Sequence, residues 1–416
     1  MNNGYLSQYF ETVAAKKLSA VEVDPEKSHQ HEFNGSKELK QVLGFEQPQQ
    51  LETKFLWIEE QNAALSEEGT VTWYDARENH PTRSEYRLYF PSNGVMNMAS
   101  EGDTLFIAKR TDGSLMIVIT LSGSTIESQL YWLFGLSPLE GKGFEVAEID
   151  RSKDHELDFA ARFILDELGI EIEEPENDKL DRLLARFYGR FPNTADFSKF
   201  ARDTSEFKIN LAEDPDLALI EYMNWEEKLF RRLERHVVSQ RLEEGFVADD
   251  GHDVDGFINF SLSVQNRRKS RAGYAFEDHL TNILLANGIA FTRKAETEFK
   301  SKPDFLFPGI LEYRNALFPH EKLTVLGTKT SCKDRWRQVL SEAEKIKNKH
   351  LLTLEPGISE NQTTEMRGNR VQLIVPESLH QTYTASQRTW LMNVKEFIDL
   401  VKERQGSFSN SFGRLF

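Results

Sequence analysis

The sequence predicts an α/β protein in two parts: a C-terminal domain made of a mixed sheet flanked by helices, and a separate β-rich α+β N-terminal domain. Three observations predict it. Short alternating or apolar segments separated by turn signals crowd residues 86–136. After residue 214 helical periodicity dominates, interrupted only by short apolar runs. Charge divides the chain too: Met1–Phe260 holds 27 Lys and Arg against 50 Asp and Glu, whereas Ser261–His350 holds 17 against 10. At 416 residues the length suits two or three domains.

Taken in chain order, Tyr86–Phe90, Thr104–Ala108 and Leu115–Leu121 read as strands, punctuated at Ser92–Gly94, Glu101–Asp103 and Thr111–Gly113. The run Thr111-Asp112-Gly113-Ser114 resembles a hairpin turn, and Ser124 with Glu127 offers a capping box for a helix through Phe134. Asp158–Leu168 reads as a short amphipathic helix, and acidic Glu171–Lys179, containing Pro175, as exposed loop or linker. These readings set an N-terminal domain at 1–170, an acidic linker region at 171–205, a second domain at 206–405 and a flexible tail at 406–416. Within the second domain Leu217, Ile220, Tyr222, Trp225, Leu229, Leu233 and Val237 recur at roughly helical spacing before a stop at Gly245. Further helices are expected at Val254–Val264, Tyr274–Asn287 and Asp334–Asn348, with buried strands at Asp304–Phe307, Leu323–Leu326 and Val371–Val375.

Several classes are excluded. No run of about 18 apolar residues exists to span a membrane. Met1–Glu11 is polar and lacks the order of a signal peptide, so a cytoplasmic location is expected. A lone cysteine, Cys332, supports neither an internal disulfide nor a cysteine-rich zinc site, and His29, His31 and His252 match no zinc spacing. No Walker-type loop or Gly-x-Ser-x-Gly is present. The overall net charge of −16 argues against nucleic acid, but its distribution, −23 to residue 260 and then +7 to residue 350, reverses that impression. Solvated surface explains such counts equally well.

The chemistry is concentrated in Lys302–Lys345. Asp304 opens one apolar strand, and a second, Leu323-Thr324-Val325-Leu326-Gly327-Thr328-Lys329, ends in a lysine. A carboxylate beside a lysine on neighbouring strands is the minimal core of a metal-dependent phosphodiesterase. The carboxylate takes a hard divalent cation through oxygen, and the lysine orients the attacking water or neutralises the developing phosphate charge. One carboxylate rarely holds magnesium, and the position two residues before the lysine, the usual place of a second acid, is Gly327. Glu342 is the best replacement: on a helix whose apolar face is Trp336, Val339, Leu340, Ala343 and Ile346, it lies near the border of that face. From periodicity alone an ordinary solvated face is the commoner meaning of Glu342 and Lys345.

Three stretches, Lys329-Thr330-Ser331-Cys332-Lys333-Asp334-Arg335-Trp336-Arg337-Gln338-Val339-Leu340, Lys302-Pro303-Asp304-Phe305-Leu306-Phe307-Pro308 and Asn266-Arg267-Arg268-Lys269-Ser270-Arg271-Ala272-Gly273, resemble the catalytic domain of the EcoRII restriction endonuclease family. The resemblance runs from about Leu217 past Leu379. It implies a PD-(D/E)XK nuclease fold, Mg2+ as cofactor, homodimeric cutting of double-stranded DNA and a catalytic set carried onto Asp304, Lys329 and Glu342, with Asp304 and Glu342 as the metal ligands. Related nucleases place a glutamate on the helix before the aspartate strand, and Glu277 fits that position. Lys333, Asp334, Arg335 and Arg337 follow the lysine and suit the reading of G·C pairs, since Arg bonds guanine and Asp accepts from cytosine. The alternative is Asp334 as a helix cap followed by phosphate-binding cations. Arg267, Arg268, Lys269 and Arg271 read as phosphate clamps. Cys332 reads as a small filler in the turn.

In that family the N-terminal domain is a β-barrel module that binds a second DNA copy and restrains catalysis. No motif here aligns with it. Residues 86–136 are compatible with a small barrel, and Arg77, Arg83, Arg87, Lys109 and Arg110 could form a basic face. Alternatively, a −23 region tethered to a +7 cleft could mask that cleft. The expected activity is a type II, Mg2+-dependent, sequence-specific DNA endonuclease. Its rivals are a DNA-binding regulator with a degenerate nuclease fold, favoured by Gly327, and a phage-defence nuclease gated by a signal or a modified base.

Overall fold

Strict period-two alternation makes β7 (Leu115–Thr120) a strand buried on both sides. Leu115, Ile117 and Ile119 enter one apolar cluster, whereas Met116 and Val118 enter another. The computed structural model describes residues 5–23, 31–45, 48–59, 64–139, 141, 143–149, 157–170, 172, 178–187, 190–248 and 251–412. They group into two compact units: 1–173 with 356–363 and 382–384, and 174–355 with 364–381 and 385–416.

In the first unit β7 joins β1 (Phe10–Lys17), β2 (Glu32–Asn34), β3 (Gln49–Ile58), β4 (Leu65–Asp75), β5 (Tyr86–Tyr89), β6 (Thr104–Arg110) and β8 (Glu145–Glu148). Their order is β2-β5-β4-β3-β7-β6-β1-β8, antiparallel except between β3 and β7. The β6–β7 hairpin turns at Gly113, at φ +84°, where glycine avoids a Cβ clash, and Asp112 accepts from the Ser114 amide at 2.9 Å. Helix α1 (Lys37–Leu43) follows β2 at one edge yet packs on β1 and β8 at the other. Phe33 of β2 and Phe144 beside β8 consequently share one core. The sheet curls toward a barrel, but among the described residues no ladder joins β2 to β8. Helices α2 (Thr125–Phe134) and α3 (Phe159–Glu167) cover the other face, with Ser124 and Asp158 as their N-caps. The expected basic face does not form. Arg77 and Arg87 pair with Glu85, Lys109 with Glu11 and Arg110 with Asp112, which neutralises four of its five cations.

Residues 178–204 are not the expected linker. They form α4 (Asp178–Leu184) and α5 (Thr194–Thr204), because Leu180, Leu184, Phe197 and Phe200 find an apolar partner in Trp225, Leu229, Phe230 and Leu233. Most of Glu171–Asn177 lies outside the described residues. Helix α6 (Pro215–Glu244) has the expected span. The two helices expected after it are one, α7 (Val254–Ala286), since Gly273 lowers helix propensity without ending the hydrogen-bonded ladder. A short hairpin, β9 (Val247–Ala248) with β10 (Gly251–His252), connects α6 to α7. The sheet of this unit runs β11 (Thr292–Arg293), β12 (Phe305–Phe307), β13 (Thr324–Lys329), β14 (Lys349–Thr353), β15 (Val371–Ile374), antiparallel up to β13 and parallel beyond it. This is the expected mixed sheet flanked by helices. The last helix, α8 (Val394–Phe412), starts from buried Val394, Phe397, Ile398 and Val401 and continues past Gly406, where a tail was expected. Among the described residues no helix is long and apolar enough to cross a membrane.

Candidate active site

Antiparallel pairing of Phe305 with Leu326 sets Asp304, one residue before β12, across from the end of β13. Asp304 Oδ2 accepts from the Thr328 amide at 2.8 Å and the Thr328 hydroxyl at 3.1 Å, and Lys329 Nζ lies 3.5 Å from the same oxygen. All three contacts load Oδ2. The carboxylate is thereby oriented by its neighbouring strand.

Glu342 joins this pair, though not from a helix as expected. Lys333–Ser341 is a 3-10 segment, Glu342 itself is extended (φ −86°, ψ 143°), and Ala343 is left-handed at φ +46°. Buried Trp336, Val339, Ala343 and Ile346, spaced by three and four, fit an α-helix or a tighter coil equally well, so their spacing could not distinguish the two. Tertiary hydrogen bonds decide it. Lys349, buried in β14, reaches back to donate to the carbonyls of Glu342 and Ala343, the latter at 2.8 Å, and holds the turn open. Burial and then the charge of Asp304 push the Glu342 carboxyl up to about 7, opposed by Lys329 and Lys349. Its Oε2 is buried without a hydrogen-bond partner. Among the described residues no group of three or more His, Cys, Asp or Glu could hold a metal ion.

Glu277 on α7 is nearly buried, and its Oε2 takes Arg293 at 2.7 Å and Lys294 at 2.9 Å. Lys294 in turn donates its backbone amide to Pro303 O at 3.1 Å. Glu277 thus braces the turn that leads into Asp304. Sequence reasoning overlooked Arg293, Thr328 and Lys349; the one available signal was a lysine opening the otherwise apolar run Lys349-His350-Leu351-Leu352.

The proposed DNA-binding residues separate into groups. Arg335 is exposed and donates to Ser331 O at 2.7 Å; Arg337 is exposed, paired with Glu365 at 2.7 Å, and its guanidinium lies 4.9 Å from the Trp336 ring centre. Lys333 sits at the bend after the lysine strand with φ +36°. Arg267 lies over Phe191 at 4.7 Å, and Arg268 bonds Glu234 at 2.6 Å. The side chains of Lys269 and Asp334 lie outside the described residues; the cap position of the 3-10 segment falls on Cys332, so Asp334 lies inside that segment and is not its cap. Arg271 is a correction. At 5% exposure it pairs with Glu226 at 3.1 Å and with Glu227, and it covers Phe230 at 4.1 Å. A buried guanidinium needs such partners, which makes it a tie between α6 and α7 instead of a phosphate clamp. Cys332 is buried, and burial pushes its thiol well up.

Residues 230–398 match the family model described as EcoRII C terminal. The chain is 41% identical over 210 residues to the type II restriction enzyme EcoRII of Escherichia coli, which covers 50% of this chain and 50% of that protein. It therefore spans about half the length of the curated relative it matches. Among solved structures, a metal-depleted Ecl18kI complex with uncleaved, modified DNA gives a TM-score of 0.45 at 17% identity, covering 56% of this chain and 85% of that one. A PspGI complex with substrate DNA gives 0.44 at 15%, covering 56% and 100%. Residues 230–398 of this chain are thus similar to the C-terminal region of EcoRII-type restriction enzymes.

Proposed function

We propose that this chain is a Mg2+-dependent, sequence-specific type II endonuclease that hydrolyses phosphodiester bonds of double-stranded DNA as a homodimer. The observation that carries the reading is the convergence of Asp304, Lys329 and Glu342 from two strands and a turn, in a domain similar to the EcoRII C-terminal family. The residues fit a divalent cation. Asp304 Oδ1 and the unpartnered, buried Glu342 Oε2 are hard oxygen donors, and ionising two close carboxylates is favoured once a cation compensates them. Bound there, Mg2+ would polarise the phosphate and acidify a water. Lys329 brings a cation to the scissile phosphate and orients the attacking water, Thr328 keeps Asp304 in register, and Glu277 holds the adjoining turn through Lys294. Lys333 and Arg335 lie at the end of the lysine strand, where they meet bases or phosphates of the duplex, and Arg337, Arg267 and Arg268 add phosphate contacts.

Plasmid and phage DNA incubated with the purified chain, with and without Mg2+, beside Asp304→Ala, tests this. Discrete Mg2+-dependent fragments absent from the variant support it. Tight duplex binding without cutting points to the regulator, and cutting of modified DNA alone points to a gated defence nuclease.

We also propose that the acidic N-terminal part restrains the cleft; the net charge of −15 over residues 1–173, against +7 over residues 261–350, supports this. A protein beginning at Glu174 should cut faster. Its melting must be measured alongside, because residues 356–363 bond to Thr125 and Gln129 within the first unit. An intact fold with an unchanged rate sinks the restraint.

A further inference from the structure

The turn between β11 and β12 presents an aromatic ring to solvent. Phe299 is 86% exposed and left-handed (φ 56°, ψ 25°), and Lys300 follows at φ 60°. Bulky residues rarely adopt this region, because the Cβ crowds the backbone, and an exposed Phe gains nothing from burial. The turn is nonetheless firmly built. Thr297 N donates to Ser301 O at 2.8 Å and Ser301 N to Glu298 O at 3.0 Å. Glu298 is held by the Tyr313 hydroxyl at 2.5 Å, and Arg314 donates to Glu296 O at 3.1 Å. A strained, apolar and well-anchored tip calls for a partner.

Topology says where that partner lies. The chain enters β12 at Asp304 and returns along β13 to Lys329, so the turn at 294–304 projects from the sheet edge that carries both residues. Lys294 closes its base by donating to Pro303 O and Asp304 O at 3.1 and 3.3 Å. Lys300 and Lys302 follow the tip and are both exposed, with Lys302 4.0 Å from Glu296. An exposed aromatic ring followed by two exposed lysines, a few residues from Asp304, matches nucleic acid in both charge and stacking.

We propose that Phe299 contacts the bases of bound duplex DNA as an apolar wedge beside the scissile phosphate, with Lys300 and Lys302 on the flanking phosphates. This rests on the endonuclease reading above. Stacking is tolerant of sequence, so the contact adds affinity and local unstacking without choosing a base.

The test uses the full chain in EDTA with labelled mixed-sequence duplexes, reading anisotropy across a salt series for wild type, Phe299→Ala, Phe299→Trp and Lys300→Ala. Loss of the ring should weaken binding roughly tenfold and leave the slope of log K against log salt unchanged. Trp should restore binding, and Lys300→Ala should reduce the slope by about one. Permanganate reactivity of thymines near the bound site should fall in Phe299→Ala, a readout that a purely structural role would not move. Wild-type affinity in Phe299→Ala overturns the proposal. So does dissociation of copies in sedimentation with DNA binding intact, which would assign the ring to self-association. A wild-type chain that binds no duplex sinks the endonuclease reading itself, before the variants are compared.

Discussion

Val339 Cγ2 lies 3.1 Å from the point where a Cβ on Gly327 would stand, with Leu351 Cδ1 at 3.7 Å. Two residues before Lys329, the missing side chain of Gly327 is replaced by apolar packing from the 3-10 segment; on the proposed reading this is where a second acid would stand. Three residues beyond Val339, the same segment delivers Glu342. The vacancy in the strand and the displaced carboxylate are two sides of one packing solution.

Restoring an acid at residue 327 should therefore fail. Gly327→Asp would force a carboxylate into Val339 and destabilise the fold by about 1–3 kcal/mol. Glu342→Gln should melt near the wild-type temperature yet lose cleavage, and Gly327→Asp should not rescue it. Thermal melting with a plasmid assay checks both; rescue would refute the displacement.

Lys349 should matter beyond stability. Lys349→Met leaves the buried Ala343 carbonyl and the part-buried Glu342 carbonyl without their lysine donor and should cost about 1–3 kcal/mol. By releasing the Glu342 turn it should also lower Mn2+ affinity in calorimetry. Wild-type metal affinity in a folded Lys349→Met protein would show the turn to be self-supporting.

Stability without metal should depend on pH with two opposed signs. Glu342, raised from 4.5 to about 7, binds its proton more tightly when folded, so its contribution falls as pH rises from about 4.5 to 7. Burial and Arg404 press His350 down from 6.5 to about 4. The unfolded chain then takes up more protons in that window, and the contribution of His350 rises with pH across it. Melting curves in EDTA should separate them, since Glu342→Gln ought to retain only the rising His350 limb. A variant that keeps a decline toward pH 7 would contradict the assignment.

Arg271 and Arg335 should behave oppositely. Arg271→Met takes one partner from Glu226, which keeps His279, and from Glu227, which keeps Arg231, and should cost about 1–3 kcal/mol. Arg335→Ala should leave melting unchanged and weaken duplex binding. Denaturant titration and anisotropy distinguish the two roles, and a stable Arg271→Met protein with reduced DNA affinity would return that residue to the interface.

The sequence by itself determined the strands flanking the Thr111–Ser114 turn, the Ser124 cap, the span of α6, and the placement of Asp304 and Lys329 at adjoining strand ends. Each is written in local alternation, capping or turn chemistry; the position of Glu342 near the border of an apolar face made it the candidate replacement acid, and the family resemblance added Glu277. Tertiary structure decided the remainder. Spacing of three and four could not say whether Lys333–Ser341 was an α-helix, because a distant lysine, Lys349, settles the shape of the turn that follows. Nor could a run of basic residues say which would face solvent: Arg267 and Arg271 lie about one helical turn apart, yet Arg267 is exposed and Arg271 is buried against Glu226 and Glu227 of α6. Periodicity reports which face of an element is apolar, whereas the partner that covers it, and the charge that partner carries, comes from residues far away in the chain.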